Sequence, residues 1–198
     1  MCWRHISPRR RPTPTNCRTD RSRYDRSPYG RPLETLAEGR FLALRKRGTW
    51  EYADRPRDIR AAVILAIEDG HILLVEQFRI PLGLTCLEMP AGLIGDETEG
   101  EAVLDGAARE LEEETGYRPA RIEALGEFCS SPGMTSERFT LVRATGLVKV
   151  GEGGGDSDEQ IVVHRVRLSE VSAFIAERRV AGVAVDAKLL LLLGGGIL

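Results

Sequence analysis

A chain of 198 residues, 42% of them apolar, is long enough for one domain with a real core plus a tail. Its net charge of −2 hides an asymmetry: residues 1–31 carry nine Arg and two Asp, while the remainder carries 19 Lys and Arg against 28 Asp and Glu. The acidic body argues against nucleic acid as the main partner, scattered Cys2, Cys17, Cys86 and Cys129 argue against a zinc site or disulfide scaffold, and no apolar run approaches the roughly 20 residues that span a bilayer. Reduced cytosol is the compartment these features suggest, with no membrane partner.

Residues 1–35 are rich in Arg, Pro, Ser and Thr and have no apolar period, so they read as a disordered extension. A nucleic-acid arm, a transit peptide and a simple unstructured overhang all remain open for it. Residues 36–198 are expected to form the folded domain. Phe41 to Arg47 and Thr49 to Ala53 read as an N-terminal hairpin across Gly48. Ala61 to Glu68 is a continuous apolar run suited to a buried strand. Asp69-Gly70 turns it into a second strand, His71 to Phe78. A loop over Ile80 to Thr85 leads to a short strand at Leu87 to Met89. A Gly- and acid-rich loop from Ala91 to Thr98 precedes a helix over about Gly100 to Thr115. Strands follow at Arg121 to Cys129, Glu137 to Val150 and Ile161 to Leu168, with a loop of glycine and acid over Gly151 to Gln160. Ser169 is expected to cap a further helix, and a last helix is expected from about Val183 to Leu193, before Gly194-Gly195-Gly196. The elements mix without regular βαβ alternation and without an internal repeat, which places the chain as α+β or mixed α/β.

The central helix carries the chemistry. Glu110, Glu113 and Glu114 stand at i, i+3 and i+4, on one side of an α-helix. Like charges so placed cost a few tenths of a kcal/mol per pair. A hard divalent cation removes that repulsion and turns it into a binding site. Leu104, Ala107, Ala108, Leu111 and Thr115 supply the opposing apolar stripe, and Gly116 ends the helix. A solvated acidic face is the plain alternative, and Glu112 adds to it. The wider register weighs against that alternative: Gly95, Glu101, Arg109-Glu110-Leu111, Glu113-Glu114 and Gly116-Tyr117 are held at fixed spacings. Only His5, His71 and His164 could act as a histidine base, and none is well placed, so a carboxylate is the expected base.

That register resembles the signature box of the Nudix hydrolases. The one departure is a loop about three residues longer than usual between Pro90-Ala91-Gly92 and Glu101. The resemblance implies the Nudix fold, a mixed β-sheet sandwiched between α-helices, over about Leu36 to Leu193, and a Mg²⁺-dependent enzyme, with Mn²⁺ as a substitute. It implies that Glu110, Glu113 and Glu114 ligate the metal, that the carbonyl of Ala91 adds a ligand, and that Glu101 supports from further out. Arg109 would orient the glutamates.

Three segments resemble the ADP-ribose pyrophosphatase branch of that family. Pro132, 16 residues after Gly116, stands in Ser131-Pro132-Gly133-Met134-Thr135-Ser136-Glu137, which brings Pro132 and Glu137 to the substrate. Val75-Glu76-Gln77-Phe78-Arg79 followed by Leu87-Glu88-Met89 makes Arg79 a diphosphate clamp and Glu88 a metal-side or ribose contact. Glu159, with Asp158 as its rival, occupies the place of a catalytic carboxylate on a mobile loop, where it would take the proton of the attacking water. Gly48-Thr49-Trp50-Glu51-Tyr52 resembles the N-terminal strands that hold adenine in this branch. Residues 36–56 would then form a homodimer in which Trp50 serves the partner's site; a tryptophan in the core of its own hairpin is the alternative. The expected activity is cleavage of ADP-ribose or a related nucleoside diphosphate sugar to a nucleoside monophosphate and a sugar phosphate. GDP-mannose, a damaged nucleotide, or a non-catalytic metabolite sensor are the rivals.

Overall fold

The computed structural model describes residues 31–56, 59–96, 100–155 and 160–193. Residues 1–30, most of the expected extension, lie outside that set, as do Asp158, Glu159 and the glycine run after Leu193.

The N-terminal residues form a small antiparallel sheet of three strands, β1 (Leu33–Glu38), β2 (Ala43–Arg47) and β3 (Trp50–Asp54), in that order. The β2–β3 hairpin turns at Gly48, whose φ of 65° suits a residue without Cβ. β1 was not foreseen, and it starts inside the stretch assigned to the extension. All six of its residues are exposed, so no alternation marks it, and it exists by pairing with β2. This sheet meets the rest of the domain through Ala53 and its neighbours: the Ala53 N–H donates to Met134 O at 2.9 Å and the Ser136 N–H to Ala53 O at 3.0 Å.

The body of the domain is a mixed sheet of eight strands, in the order β11-β6-β5-β4-β9-β8, with β10 also on β5 and β7 also on β4. The ranges are β4 (Arg60–Glu68), β5 (His71–Arg79), β6 (Leu84–Glu88), β7 (Ala91–Ile94), β8 (Tyr117–Cys129), β9 (Arg138–Lys149), β10 (Ile161–Arg167) and β11 (Ala184–Val185). β4 and β5 pair only beside their shared turn and then diverge. β4 runs between β7 and parallel β9, while β5 runs between β10 and β6. The apolar run of β4 is buried on both faces. Val63 and Leu65 join one core with Leu74, Leu87, Met89 and Leu141. Ala62, Ile64 and Ala66 join a second core with Ala107 and Leu111. The two-residue period of a strand divides the side chains in this way, and the uninterrupted apolar run reflects it.

The central helix, α1 (Val103–Thr115), packs on that second core. It starts three residues later than expected. It ends at Gly116, whose φ is 74° and whose N–H donates to Glu112 O at 2.8 Å. Of the expected apolar stripe, Ala107, Leu111 and Thr115 are buried while Leu104 and Ala108 are only partly so. Glu114 is buried with them, at 5% exposure, so the acid side is not a single solvent face.

Further departures cluster where pairing overrides local pattern. The residues expected as a loop after Pro90 form β7 because β4 has a free edge for them. β8 begins at Tyr117, four residues early, and accommodates Pro119 at the end of the sheet. Ser169 makes no cap: Leu168–Glu170 form a 3₁₀ turn that leads into α2 (Val171–Val180). The expected last helix is broken into β11, a 3₁₀ turn at Ala187–Leu189 and one turn of helix, α3 (Leu190–Leu193). Asp186 causes the break. Its N–H donates to Leu87 O at 3.0 Å, drawing the backbone to the sheet, and its carboxylate accepts the Lys188 N–H at 2.7 Å, starting a new turn. His164 lies on β10 with Nε2 3.2 Å from Glu76, a 5%-exposed carboxylate also held by Arg178 of α2 at 2.8 Å. His71 only flanks its turn, through Nδ1 at 2.8 Å from Asp69 O. No helix among the described residues is long and apolar enough to cross a membrane.

Candidate active site

An open cleft of about 800 Å³ lies where β4, β7 and α1 meet. Ala61, Ala62 and Val63 of β4 and Ala91, Gly92 and Leu93 of β7 line it, together with Arg109, Glu110, Glu113 and Glu114 of α1 and Asp96 of the loop between. Arg79, Cys86 and Glu88 contribute from β5 and β6, Asp186 and Lys188 from the segment after β11, and Arg55, Glu137 and Gly155 from loops.

Burial sets the character of the acid wall. Glu114 accepts the Ala91 N–H at 3.0 Å. Glu110 lies directly over Gly92: a Cβ built on that glycine would stand 2.0 Å from Glu110 Cδ. Burial pushes the Glu110 carboxyl up to about 7, with Glu113 and Asp96 adding repulsion and Arg109 opposing. Arg109 fans across the wall, with Glu101 at 3.2 Å, Glu110 at 3.1 Å and Glu113 at 2.9 Å. Its burial disfavours the charge, but these carboxylates outweigh that and raise its proton affinity further. Glu101 is held below the usual carboxylate range by Arg109 against the cost of burial, with the Gly95 N–H assisting at 3.2 Å. Gly95, at φ 84°, is thereby the residue that aims a backbone donor at Glu101.

Among the described residues, no three Asp, Glu, His or Cys side chains converge closely enough to enclose a metal ion as they stand. Arg109 and the Ala91 N–H account for the spread, because each draws one or two of the glutamates to itself. The donor set nevertheless suits a hard divalent cation. It is all oxygen, it sets Glu113 and Asp96 close enough to Glu110 to raise the proton affinity of that carboxylate, and it includes Asp96 Oδ1, a buried atom without a hydrogen-bond partner.

The other expected residues divide. Arg79 and Glu88 do face the cleft, as a bidentate pair at 2.6 and 3.0 Å. Glu137 faces it too, paired at 2.6 Å with Arg55. Glu101 acts through Arg109. Two expected residues stand outside the cleft of this chain. Pro132 is exposed and lines no part of the cleft; its turn, closed by the Met134 and Thr135 N–H groups on Ser131 O at 3.0 Å, instead tethers β3 and positions Glu137. Trp50 is 65% exposed at the start of β3, so it belongs neither to a hairpin core nor to this cleft. Glu159 lies outside the described residues, but its loop starts at the site. The Gly154 and Gly155 N–H groups donate to Glu114 O at 2.8 Å and Glu113 O at 3.1 Å, and Gly155 lines the cleft. Arg55, Asp96, Asp186 and Lys188 were missed. The only sequence signal for Asp96 is an acid in the lengthened loop; single charges in irregular segments carry no period that would reveal the rest.

The NUDIX domain family model matches residues 56–185. The chain is 36% identical over 154 residues to an ADP-ribose pyrophosphatase of Bacillus subtilis, covering 76% of this chain and 80% of that one. It is 39% identical over 120 residues to a methanol dehydrogenase activator of Bacillus methanolicus, where it covers 60% of this chain and 63% of the relative, under two thirds of its length. A crystal structure of an ADP compounds hydrolase has the same fold, with a TM-score of 0.62 at 23% identity over 84% of this chain and 95% of that one.

Proposed function

The chain belongs to the Nudix hydrolase family, and on that footing we propose that it hydrolyses ADP-ribose or a closely related nucleoside diphosphate sugar to a nucleoside monophosphate and a sugar phosphate. The observation that carries the reading is one cleft that joins the carboxylates of α1 to two arginines, Arg55 and Arg79, each already seated on a glutamate. A guanidinium that holds a carboxylate bidentately offers the same fork to a phosphate, so a diphosphate has partners on the arginine side and a metal on the acid side. The ADP-ribose pyrophosphatase relative supports that substrate class.

Nudix hydrolases generally use divalent metal ions; such an ion neutralises phosphate oxygens and makes a bound water nucleophilic near neutral pH. Glu110, Glu113, Glu114 and the Ala91 carbonyl are the residues that would hold it, and Mg²⁺, replaceable by Mn²⁺, is the ion proposed. Arg109, pinned by Glu101, orients Glu110 and Glu113. Arg79 exchanges Glu88 for a phosphate oxygen, and Glu88 is released toward a ribose hydroxyl. Glu159 takes the proton of the attacking water, from a loop anchored to the end of α1 by Gly154 and Gly155. We place the enzyme in the cytoplasm as a homodimer, with Trp50 stacking on the base in the partner's cleft and residues 1–35 as an extension outside the domain.

The test is a panel of nucleoside diphosphate sugars incubated with Mg²⁺ in ¹⁸O-labelled water. ADP-ribose should yield AMP and ribose 5-phosphate, with the label in one product. Preferential cleavage of GDP-mannose would move the substrate within the family. Tight nucleotide binding with no turnover in Mg²⁺ or Mn²⁺ would make the protein a sensor.

A further inference from the structure

Between Gly92 and Glu101 the loop is about three residues longer than the family pattern requires, and Asp96 lies in that loop. It lines the cleft beside Glu110, Glu113 and Glu114. Its Oδ1 is buried and has no hydrogen-bond partner, where a buried carboxylate oxygen ordinarily finds one. Leaving such an atom unsatisfied costs more than leaving it in water. The loop could shed this cost by turning Asp96 outward, yet it holds the residue inward: Ile94 is fully buried on the α1 core, and the Gly95 N–H is fastened to Glu101, itself gripped by Arg109. The residue just before Asp96 is thus tied to the same arginine that organises the α1 glutamates. Its Oδ1 is thus left without a protein partner in the cleft that the α1 carboxylates share.

We propose that Asp96 is an additional carboxylate of the divalent-cation site, supplied by this chain's longer loop, and that it reaches the ion directly or through one of its waters. The proposal rests on the reading that a divalent cation works in this cleft. It adds a negative charge to the α1 set, which strengthens the hold on a hard cation and explains why an unpartnered acid is kept inside. Mg²⁺ keeps several of its waters, so one loop carboxylate can contribute without displacing a glutamate.

The experiment is Mn²⁺ titration of the full chain without substrate, followed by paramagnetic resonance of the free ion, together with thermal unfolding at zero and saturating Mn²⁺. Asp96→Asn should weaken Mn²⁺ binding by about tenfold, the scale seen when a supporting group of a metal site is lost. It should also shrink the gain in Tm on adding Mn²⁺, while the ion-free protein melts no lower than wild type because Asp96 Oδ1 makes no protein hydrogen bond to lose. Asp96→Glu should recover part of the affinity. Unchanged Mn²⁺ affinity in Asp96→Asn would overturn the assignment, as would an ion-free melting point that falls with affinity intact, which marks a purely structural residue. None of these readouts involves hydrolysis. A failed substrate panel would therefore leave the cation assignment standing, and an unchanged affinity would leave the substrate reading standing.

Discussion

Gly92 shows what a single missing methyl group does here. A Cβ at this position would stand 2.0 Å from Cδ and 2.3 Å from Oε2 of Glu110. Glu110 is a side-chain end and can move, so Gly92→Ala should fold normally and displace the carboxylate instead. We expect circular dichroism and Tm close to wild type and a turnover lowered by about a hundredfold, the effect of shifting a working group by roughly 1 Å. A variant that loses its fold along with its activity would refute this account. Glu114→Gln is the complementary case. The amide oxygen can still accept the Ala91 N–H that Glu114 holds at 3.0 Å, so the fold should survive while turnover falls by orders of magnitude in a steady-state assay. Cys86 offers a chemical check on the same cleft. Burial above all, then Glu88 and Asp186, pushes its thiol up to about 11. The reactive thiolate is therefore scarce at pH 8 and gains population only as pH approaches that value. Iodoacetamide at pH 8 should label exposed Cys129 and spare Cys86 until the chain is unfolded, as read by peptide mass spectrometry. At this scale the sequence was informative wherever spacing carried meaning: Glu110, Glu113 and Glu114 all line the cleft from α1, Arg109 reaches Glu110 and Glu113 on its own helix, and Glu101 joins Arg109 from just before the helix starts. It was silent on Asp96 and Arg55, which stand singly in loops, and on Lys188, which stands in a single 3₁₀ turn; all reach the cleft only through the path of the chain.

The joint between α1 and the glycine loop after β9 fixes the described start of that loop, up to Gly155. Gly116 O accepts the Val150 N–H at 2.8 Å and the Gly151 N–H at 3.1 Å, and the Gly154 N–H returns to Glu114 O. Two backbones approach so closely that a Cβ on Gly153 would lie 2.4 Å from the carbonyl carbon of Thr115, at a φ of 69°. The Thr115 carbonyl carbon, with Glu114 O and Gly116 N each at 2.7 Å behind it, cannot move aside, since all are main chain. Gly153→Ala should therefore cost about 1–3 kcal/mol from backbone strain alone, visible as a lower Tm by calorimetry, and should lower kcat by loosening the loop. Gly151→Ala is the control: it has no positive φ, and a Cβ there meets only Gly116 Cα at 4.0 Å, so its Tm should not move. The same elements show where sequence pattern is decisive and where it is not. The β4 run and the α1 period each bury a contiguous apolar set, and both were legible. The leucines before Gly194 have an equally helical pattern, yet Asp186 bonds to Leu87 O and cuts the expected helix off ahead of them, because a long-range hydrogen bond outweighs a few tenths of a kcal/mol of propensity. β1 has no apolar alternation to read and depends on its partner strand.

At the scale of the whole molecule, the N-terminal sheet has an unusual surface for a small appendage. Leu33, Leu36, Leu44 and Trp50 are all exposed on it, and Phe78, Ile80, Leu82 and Leu84 are exposed around the β5–β6 turn, Ile80 at 85%. Apolar area of this kind, on strands joined to the body chiefly through the Ala53 hydrogen bonds and the Arg55–Glu137 pair, suits contact with a second copy of the chain. The proposed dimer, in which Trp50 completes the partner's cleft, makes a prediction that no monomeric arrangement shares. Trp50→Ala alone should raise KM for ADP-ribose with little change in kcat, because the indole supplies binding and not chemistry. Glu114→Gln alone should be nearly inactive. When the two variants are unfolded together and refolded as mixed dimers, one cleft in each heterodimer combines the intact glutamates of the Trp50→Ala chain with the tryptophan of the Glu114→Gln chain. That cleft is wild type in every residue, so a share of low-KM activity should reappear, in proportion to the heterodimer fraction measured by native mass spectrometry. If Trp50 served its own chain, mixing would only dilute one defective enzyme with another, and no low-KM component would emerge at any ratio.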